Sequence, residues 1–567
     1  MRLITAALLV LSFPAQAIDI LTSEYNQNRT GHNPNETVLT PTNVAAGTFG
    51  KLGTYPVDGV VYGRLLFLDN YNVGGGVLKN LMFACTMANT LYAFDLNATP
   101  GPGAILWQTH WNAPLDIQAT PTGSTHGHSQ FLAYTAGCPE TPVIDRAAGI
   151  IYSIASDGTA GSTTTGWRIH RNNLATGAEI GSPTQVNAKF AGAGDQFSST
   201  VDTQDGSGNF LFNGHYEYPR IPLALAGGVL YSAWSAYGDI RPGHGYIIGH
   251  RVSDMAQVSQ WTCSPSPTSA GGSGLCSLWQ SGRGLPVDPS GNLYTMTGNG
   301  GFDGTANFGD VWAKLSPSLS LTDWYSPNNN AQINAGDWDI SSSGPVLVPG
   351  TNWLVGGAKD RVVRVINTAN MGHLDPANGT SPTITTAINA CNTACNTFQT
   401  SGIYNQAYSP LNTMFYESDV AGPLYGLPFN ESTGVLSSPS IQTAESFAFP
   451  GAFVSVSYAS GVTGTGIVWA SVTSGATATS STFSTASNAF ITHRPGRLVA
   501  LNALTLATLW DSDVQKARDS VGTLAKFQPP VVNNGRMYQP ANSGQIHVYG
   551  LGASAVAAPT RTVVGYR

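Results

Sequence analysis

The chain has 567 residues, of which 65 are Gly and 34 are Pro, and only 10% are charged. This composition favours many short strands joined by turns, and few stretches have the character of a helix. The formal charge is −7 and the chain contains no basic block, which argues against a nucleic-acid partner.

The first seventeen residues are predicted to be a secretory signal peptide. Arg2 supplies a positive charge, residues 3–11 form an apolar run, and Ala15, Gln16 and Ala17 form a small-residue cleavage site. Neither this run nor any later stretch reaches the roughly 18–20 apolar residues that span a bilayer. We therefore expect a secreted or periplasmic mature protein that begins near Ile18 and has no membrane span. A retained anchor is the alternative.

A short phrase recurs along the rest of the chain. It begins with Gly or Asn, continues as a β-branched or aromatic apolar run and ends in turn residues, as at 89–95, 148–154, 227–233, 291–297, 496–502 and 535–541. Self-similarity at a period of tens of residues indicates a repeat architecture, and strands of this kind favour a β-propeller.

The strand clusters predict an all-β fold of eight blades. The clusters start near residues 57, 141, 220, 283, 342, 404, 449 and 527. Seven blades is the alternative, because the fifth and sixth units are weak. The last unit is short, and residues 49–59 resemble its missing strand. We expect the N- and C-terminal strands to pair, because ring closure removes exposed sheet edges.

The predicted organisation has four parts. They are a signal peptide over 1–17, an N-terminal extension over 18–45, the propeller over 46–551 and a tail over 552–567. Two further stretches, 370–408 and 457–489, are interpreted as insertions, the second with a strand-like core over 466–472, and surface decoration is favoured over a functional lid.

Six cysteines form an even set, which suits disulfide formation in an oxidising compartment. Cys263 with Cys276 and Cys391 with Cys395 are the obvious local pairs, which would leave Cys85 and Cys138. Spacing alone does not fix the connectivity, so other pairings stay open.

Polar residues in successive units could support catalysis. In chain order they are Asp239, Asn299, Asp339 and Lys359, with Trp279 between the first two. Carboxylates and an amide carbonyl suit a hard cation such as Ca²⁺ rather than zinc or copper. A carboxylate can then act as a general base, a lysine can polarise a carbonyl, and an indole can form the floor of a pocket for a planar ring. By residue type alone, turn capping by Asp and inter-blade packing by Trp are favoured.

The repeats and the order of these phrases resemble the quinoprotein alcohol dehydrogenase-like superfamily, whose eight-bladed propellers are associated with pyrroloquinoline quinone. The resemblance covers residues 46–551. In dehydrogenases of this family a Trp lies beneath the quinone and the Asn of a TGN phrase binds calcium, which implies these roles for Trp279 and Asn299. The catalytic Asp follows a Trp, as Asp339 does, and a Lys before a strand contacts the quinone carbonyl, as Lys359 would.

The resemblance also implies a further calcium ligand, normally Glu, near Asp239, with Asp339 completing the set. Several departures accompany it. Asp239 is a shorter carboxylate at an unusual offset from Gly245, and no two cysteines are adjacent, whereas many members have a disulfide between neighbours. Ser341 stands where lanthanide-using members carry Asp, which favours calcium.

Two functions therefore remain open. The first is a dehydrogenase dependent on pyrroloquinoline quinone and Ca²⁺, which oxidises an alcohol or sugar and passes electrons to an external acceptor. In that enzyme Asp339 and Lys359 are catalytic, Trp279 and Lys359 contact the quinone, and Asp239, Asn299 and Asp339 hold the metal. The second is a non-catalytic propeller that binds a glycan, peptide or protein partner, which the departures favour.

Overall fold

A computed structural model of the chain describes most residues after the predicted signal peptide. The described residues are 18–116, 135–157, 166–196, 202–214, 216–236, 242–266, 276–375, 384–387, 403–420, 422–448, 450–474, 495–525 and 527–552. Helices within these ranges are short. They are the α-helices Asn330–Ala335 and Lys516–Asp519 and the 3-10 helices Ser23–Tyr25, Pro102–Ala104, Gln280–Gly282 and Ile340–Ser342.

The strands of the described residues form eight blades, numbered here in chain order. Blade 1 contains Leu66–Asn72, Leu78–Cys85, Thr90–Asp95 and Ile105–His110. Blade 2 contains Val143–Asp145, Ile150–Asp157, Gly166–Asn173 and Thr184–Gln185. Blade 3 contains Glu217–Ala226, Val229–Ala236, Tyr246–Arg251 and Gln257–Thr262. Blade 4 contains Leu293–Met296, which Val287 pairs on its inner side, then Trp312–Leu315, Leu321–Ser326 and the parallel His373–Leu374.

The second half of the ring has the same plan. Blade 5 contains Val346–Leu347, Trp353–Gly356, Val362–Asn367 and Ile384–Ala387. Blade 6 contains Ile403–Ser409, Met414–Asp419, Leu424–Asn430, Val435–Leu436 and Ile441–Gln442. Blade 7 contains Phe453–Ser457, Ile467–Thr473, Gly496–Asn502 and Thr508–Asp511. Blade 8 contains Val531–Asn533, Arg536–Ala541, Gln545–Leu551 and Phe49–Pro56. The remaining strands are His32–Asn33, the pair Leu115–Asp116 and Thr135–Ala136, and the pair Lys189–Ala191 and Asn209–Leu211.

The ring closes as predicted, by pairing of the two ends of the chain. Phe49–Pro56 runs antiparallel to Gln545–Leu551, with Phe49 opposite Leu551 and Pro56 opposite Gln545. The units that are weak in sequence form complete sheets as blades 5 and 6. The prediction of eight blades is therefore confirmed, and the seven-bladed alternative is wrong.

The interpretation of 370–408 and 457–489 as insertions is wrong for the parts that the structure describes. Ile467–Thr473 is the second strand of blade 7 and pairs on both sides, and Ile403–Ser409 is a strand of blade 6. His373–Leu374 and Ile384–Ala387 are outer strands of blades 4 and 5. Flanking Ser, Thr and Gly residues give these stretches the composition of loops, but their short apolar runs are long enough for a blade strand.

The hydrophobic core lies between neighbouring blades. Blades 7 and 8 share one cluster in which Phe49 packs edge-on against Trp510 at 5.0 Å between ring centroids. Trp167 of blade 2 packs edge-on against Trp234 of blade 3 at 5.8 Å. Because both faces of a blade are covered, the strands are apolar on both sides, which explains why the recurring phrases lack a simple alternation of polar and apolar residues.

The N-terminal segment, residues 18–36, contacts every blade in turn at the hub of the ring. Its backbone pairs with Phe67 of blade 1, Ile144 of blade 2, Val287 of blade 4, Leu347 of blade 5, Tyr408 of blade 6 and Val456 of blade 7. Side-chain amides make the contacts with the two remaining blades. Gln27 donates to Leu225 O of blade 3 and Asn33 donates to Val532 O of blade 8, both at 3.0 Å. The segment therefore ties the innermost strands together.

Two disulfides join described cysteines, Cys85 with Cys138 and Cys263 with Cys276, at Cα separations of 5.8 and 6.0 Å. Cys391 and Cys395 lie outside the described residues. Disulfides of this kind are typical of oxidising compartments. Among the helices that the structure describes, none is long and apolar enough to cross a bilayer.

Candidate functional site at the boundary of blades 4 and 5

The predicted site residues lie in connections on the same face of the ring. In an antiparallel blade, the turn after the second strand and the connection after the fourth strand leave from one face. Asn299 follows Leu293–Met296, Asp339 lies between blades 4 and 5, and Lys359 follows Trp353–Gly356. Adjacent blades therefore bring together residues that are up to 60 positions apart in sequence.

Four polar side chains form one cluster, called here the blade 4–5 cluster. They belong to Asn299, Asp337, Asp339 and Lys359. Lys359 Nζ makes a short ion pair with Asp339 Oδ2 and lies 3.3 Å from Asp337 Oδ2. Asn299 Nδ2 donates to Asp337 Oδ1 at 2.7 Å, and Asn299 N–H donates to Asp339 Oδ1 at 3.3 Å. One ammonium group thus bridges two carboxylates, and one asparagine contacts both of them.

The backbone around the two aspartates is tightly constrained. Helix Asn330–Ala335 ends at Gly336, and Asp337 then takes a left-handed conformation with φ of +56°. Such a conformation is uncommon for Asp and directs its side chain back toward Asn299. Lys359 N–H donates to Asp339 O at 3.4 Å, so the lysine is tied to this connection through its backbone as well.

Gly298 allows the two connections to approach closely. A Cβ atom at this position would lie 2.8 Å from Ser341 Oγ and 3.1 Å from Asp339 Oδ1. The next glycine, Gly300, donates its N–H to Asn334 Oδ1 at 2.9 Å. The glycines of the TGNG phrase are therefore needed for packing beside the second connection, and they fix the position of Asn299.

The cluster has an excess of negative charge and one unsatisfied oxygen. Burial raises the pKa of Asp337, and the charge of Asp339 raises it further, while Lys359 and Asn299 act in the opposite direction. The buried Oδ1 of Asn299 has no hydrogen-bond partner among the described residues. Buried polar atoms are normally paired, so an unpaired amide oxygen beside two carboxylates fits a hard cation such as Ca²⁺.

A cation could be held at the blade 4–5 cluster only if Asn299 supplies one of the ligands. Within the described ranges, His, Cys, Asp and Glu side chains form no group of three or more that could hold a metal. The donors available here are the amide oxygen of Asn299 and the carboxylates of Asp337 and Asp339, all of them hard oxygen ligands.

Trp279 lies near this cluster but its ring packs toward blade 3. Ser277, two residues earlier, accepts a hydrogen bond from Gly298 N–H at 2.8 Å. The half-buried indole contacts Tyr218 edge-on at 6.3 Å, and the Arg220 guanidinium lies over it at 5.1 Å from the ring centroid. Inter-blade packing, the alternative favoured by residue type, is thus part of what Trp279 does.

Of the five residues predicted from the sequence, the structure brings three together: Asn299, Asp339 and Lys359. Asp239 lies outside the described residues. Lys359 does not pair with Asp360, its alternative partner, because Asp360 Oδ2 accepts from Arg364 Nη2 at 2.5 Å. Asp337 was given no role from the sequence, although it stands two residues before Asp339, because the resemblance points only to the Asp that follows Trp338.

No protein-family model and no curated protein matches the chain. Solved structures do match. The quinohemoprotein alcohol dehydrogenase from Comamonas testosteroni aligns with a TM-score of 0.56 and 13% identity, over 96% of this chain and 82% of that one. A quinohemoprotein alcohol dehydrogenase from Pseudomonas putida HK5 aligns with a TM-score of 0.56 and 12% identity, over 95% of this chain and 81% of that one.

These likenesses show a shared fold at low identity. The chain is an eight-bladed β-propeller with the fold of these two dehydrogenases. The resemblance drawn from the recurring phrases is therefore confirmed at the level of architecture.

Proposed function

We propose that this chain is a secreted or periplasmic dehydrogenase that oxidises the hydroxyl group of an alcohol or sugar at the blade 4–5 cluster. The observation that carries the proposal is the convergence of Asn299, Asp339 and Lys359, together with the buried and unsatisfied Asn299 Oδ1. The two disulfides support the assignment to an oxidising compartment.

Asp339 is the proposed general base. Its carboxylate accepts the proton of the substrate hydroxyl, and the ion pair to Lys359 holds it in place. Its side chain is only 6% exposed, so bulk water competes little with a bound hydroxyl. A positioned base of this kind contributes about 10²–10⁴-fold to the rate.

The site would use two groups that the protein binds. In such a site pyrroloquinoline quinone would supply the hydride acceptor for the carbinol carbon and Ca²⁺ would supply a Lewis acid, and an external acceptor would take the electrons. Asn299, Asp337 and Asp339 would hold the cation, and Lys359 is placed to donate to a carbonyl oxygen beside it. Trp279 offers a half-buried indole for a planar ring, although Arg220 already lies over that indole.

Reconstitution tests the proposal. Purified protein is titrated with pyrroloquinoline quinone and Ca²⁺, and the quinone absorbance and alcohol-dependent dye reduction are recorded. We expect both signals in the wild type, and we expect Asp339→Asn to keep the absorbance change but to lose about 10²–10⁴-fold in dye reduction. Asp254→Asn, a change at an exposed turn of blade 3, is the matched control and should keep full activity.

Two results would contradict the proposal: an unchanged quinone spectrum at saturating cofactor, or full dye reduction by Asp339→Asn. The position of Arg220 over Trp279 favours a second candidate, a non-catalytic propeller that binds a glycan, peptide or protein partner. That candidate gains support if the spectrum stays flat while the protein still binds such a ligand through this face.

A further inference from the structure

The disulfide between Cys263 and Cys276 lies beside the blade 4–5 cluster. Both cysteines are fully buried. Cys276 donates its backbone N–H to Asn299 O in a short hydrogen bond. The contact between the two segments is close, because a Cβ atom at Gly300 would lie 2.5 Å from Cys276 N. The bridge is therefore in direct contact with the TGNG phrase, residues 297–300, which carries Asn299.

The other half of the bridge is tied to two turns. Cys263 N–H donates to Gly245 O at 3.1 Å, in the turn before the third strand of blade 3. Cys263 O accepts from Phe308 N–H at 2.8 Å, and Phe308 O accepts from the hydroxyl of Thr297 at 2.6 Å. The disulfide thus lies between a turn of blade 3 and the TGNG phrase of blade 4, and hydrogen bonds connect it to both.

Cys276 has a backbone conformation that its surroundings have to hold. Its φ is +59°, in the left-handed region that is uncommon for residues with a Cβ atom. Such conformations persist where the neighbouring structure determines them. The covalent bond to Cys263 fixes the side chain of Cys276 while its backbone N–H is directed at Asn299 O. Removal of the bridge should therefore allow Cys276 to relax away from Asn299.

The orientation of Asn299 depends on this contact. Its backbone N–H, its amide Nδ2 and its backbone carbonyl have partners in Asp339, Asp337 and Cys276 respectively. Its buried Oδ1 has no hydrogen-bond partner among the described residues. Asn299 is thus held by the two aspartates on one side and by the disulfide on the other, which leaves Oδ1 available to a cation.

We propose that the Cys263–Cys276 disulfide is a positioning element that holds Asn299 Oδ1 in place for the cation of the blade 4–5 cluster. The bridge acts through Asn299 and contributes no ligand itself. This inference rests on the proposed function, from which it takes the cation. Groups that orient a metal ligand from outside the coordination sphere typically change the affinity for the metal by about 10–100-fold.

The test follows hydrogen exchange and Ca²⁺ binding by the full chain without quinone. The double variant Cys263→Ala with Cys276→Ala removes the bridge, and alanine avoids a buried hydroxyl without a partner. We expect faster exchange at the hydrogen-bonded amides of residues 298–300 than in the wild type. In calorimetric titrations with Ca²⁺ we expect binding about 10–100-fold weaker.

The second disulfide provides the matched control. The double variant Cys85→Ala with Cys138→Ala removes a bridge that joins blade 1 to the connection before blade 2. That bridge spans 53 positions, whereas the bridge between Cys263 and Cys276 spans 13. Because a disulfide that closes a longer loop stabilises a fold more, the control should lose at least as much stability. We nevertheless expect it to keep the wild-type exchange at 298–300 and the wild-type affinity for Ca²⁺.

A second variant perturbs the same contact with the disulfide intact, and it remains informative if the double cysteine variant fails to fold. Gly300→Ala would place a Cβ atom 2.5 Å from Cys276 N, so the two segments have to move apart. We expect Ca²⁺ binding about tenfold weaker than in the wild type. Gly301→Ala is its control and should bind as the wild type does, because its Cβ atom would lie 3.8 Å from Asn307 Cβ, an ordinary contact.

The proposal is overturned if loss of the Cys263–Cys276 bridge leaves exchange at 298–300 unchanged, or speeds exchange without weakening Ca²⁺ binding. Equal effects of the two disulfide removals would also overturn it, because they would reflect a general loss of stability. Wild-type affinity in Gly300→Ala would have the same consequence. If the wild type binds no Ca²⁺, the cation site of the proposed function is contradicted instead, and the exchange at 298–300 still decides whether the bridge positions Asn299.

Discussion

Substitution of Lys359 by Met would test the electrostatics of the blade 4–5 cluster most directly. The ammonium group bridges Asp337 and Asp339, so its removal leaves two neighbouring carboxylates of like charge. Met retains most of the aliphatic length of the lysine, which separates the loss of charge from the loss of packing. Asp337 already has a raised pKa, and the substitution would raise it further.

The size of the effect follows from the burial of the three side chains. Loss of an exposed ion pair costs up to about 1 kcal/mol, whereas removal of one partner from a buried pair costs about 3–5 kcal/mol. The side chains of Lys359, Asp337 and Asp339 are 11%, 26% and 6% exposed, so the cluster is closer to the buried case. We expect Lys359→Met to lower the free energy of unfolding by about 2–4 kcal/mol at pH 7.

The loss should depend on pH. A carboxyl group whose pKa is raised by folding stabilises the folded state at low pH, and this contribution disappears as the pH rises through the folded-state pKa. The difference in the free energy of unfolding between the wild type and Lys359→Met should therefore become smaller as the pH falls from 7 to 4.5. Added Ca²⁺ should restore more stability to the variant than to the wild type, because the ion can replace the missing positive charge.

Urea unfolding followed by tryptophan fluorescence measures these differences. Lys79→Met is the matched control, because Lys79 pairs with Asp95 in a more exposed setting, with the two side chains 26% and 13% exposed. Its loss should not exceed about 1 kcal/mol. Equal losses in the two variants at pH 7, or a loss in Lys359→Met that does not change with pH, would refute the reasoning.

Three further predictions concern other positions. Burial raises the pKa of Glu140 to about 8, so the stability that it contributes at acid pH is lost as the pH rises from about 4.5 to about 8. Glu140→Gln should remove this slope, up to about 1.4 kcal/mol per pH unit, in urea titrations at pH 5 and pH 8; an unchanged slope would contradict the assignment. Gly298→Ala should weaken Ca²⁺ binding about tenfold in calorimetric titrations or lower stability by about 1–3 kcal/mol, whereas Gly47→Ala, with open space around it, should do neither. Replacement of Cys263 and Cys276 by Ser should cost about 2–4 kcal/mol in the same unfolding assay, and an unchanged midpoint would argue that the bridge does not stabilise the fold.

The blades could be predicted because their signal is local. Each blade needs short apolar runs and turn residues, and these recur in the sequence at a spacing that a single reading detects. The strand Phe49–Pro56 could be assigned to the last blade for a similar reason, because that unit lacks a strand. The interpretation of 457–489 as an insertion has a physical cause as well, since Ser, Thr and Gly on either side of the strand-like core are compatible with a surface loop, whereas Ile467–Thr473 is a strand within blade 7.

The candidate site was predicted only in part. The order of Asn299, Asp339 and Lys359 along the chain was sufficient to select them, given the resemblance to known propellers. Asp337 has the same residue type and lies two positions from Asp339, and only its left-handed backbone, with φ of +56°, shows that its carboxylate turns back to Asn299.

Arg220 illustrates what the tertiary structure alone decided. In the sequence it stands in an apolar strand between Pro219 and Ile221, with nothing to indicate contacts with distant aromatic side chains. Its guanidinium lies over the rings of Trp279 and Phe527, which are 59 and 307 positions away. The sequence determined the strands, the turns and the number of blades, because these depend on short-range patterns of side chains. Contacts across the hub depend on the curvature of the closed ring, which places distant connections at one axis.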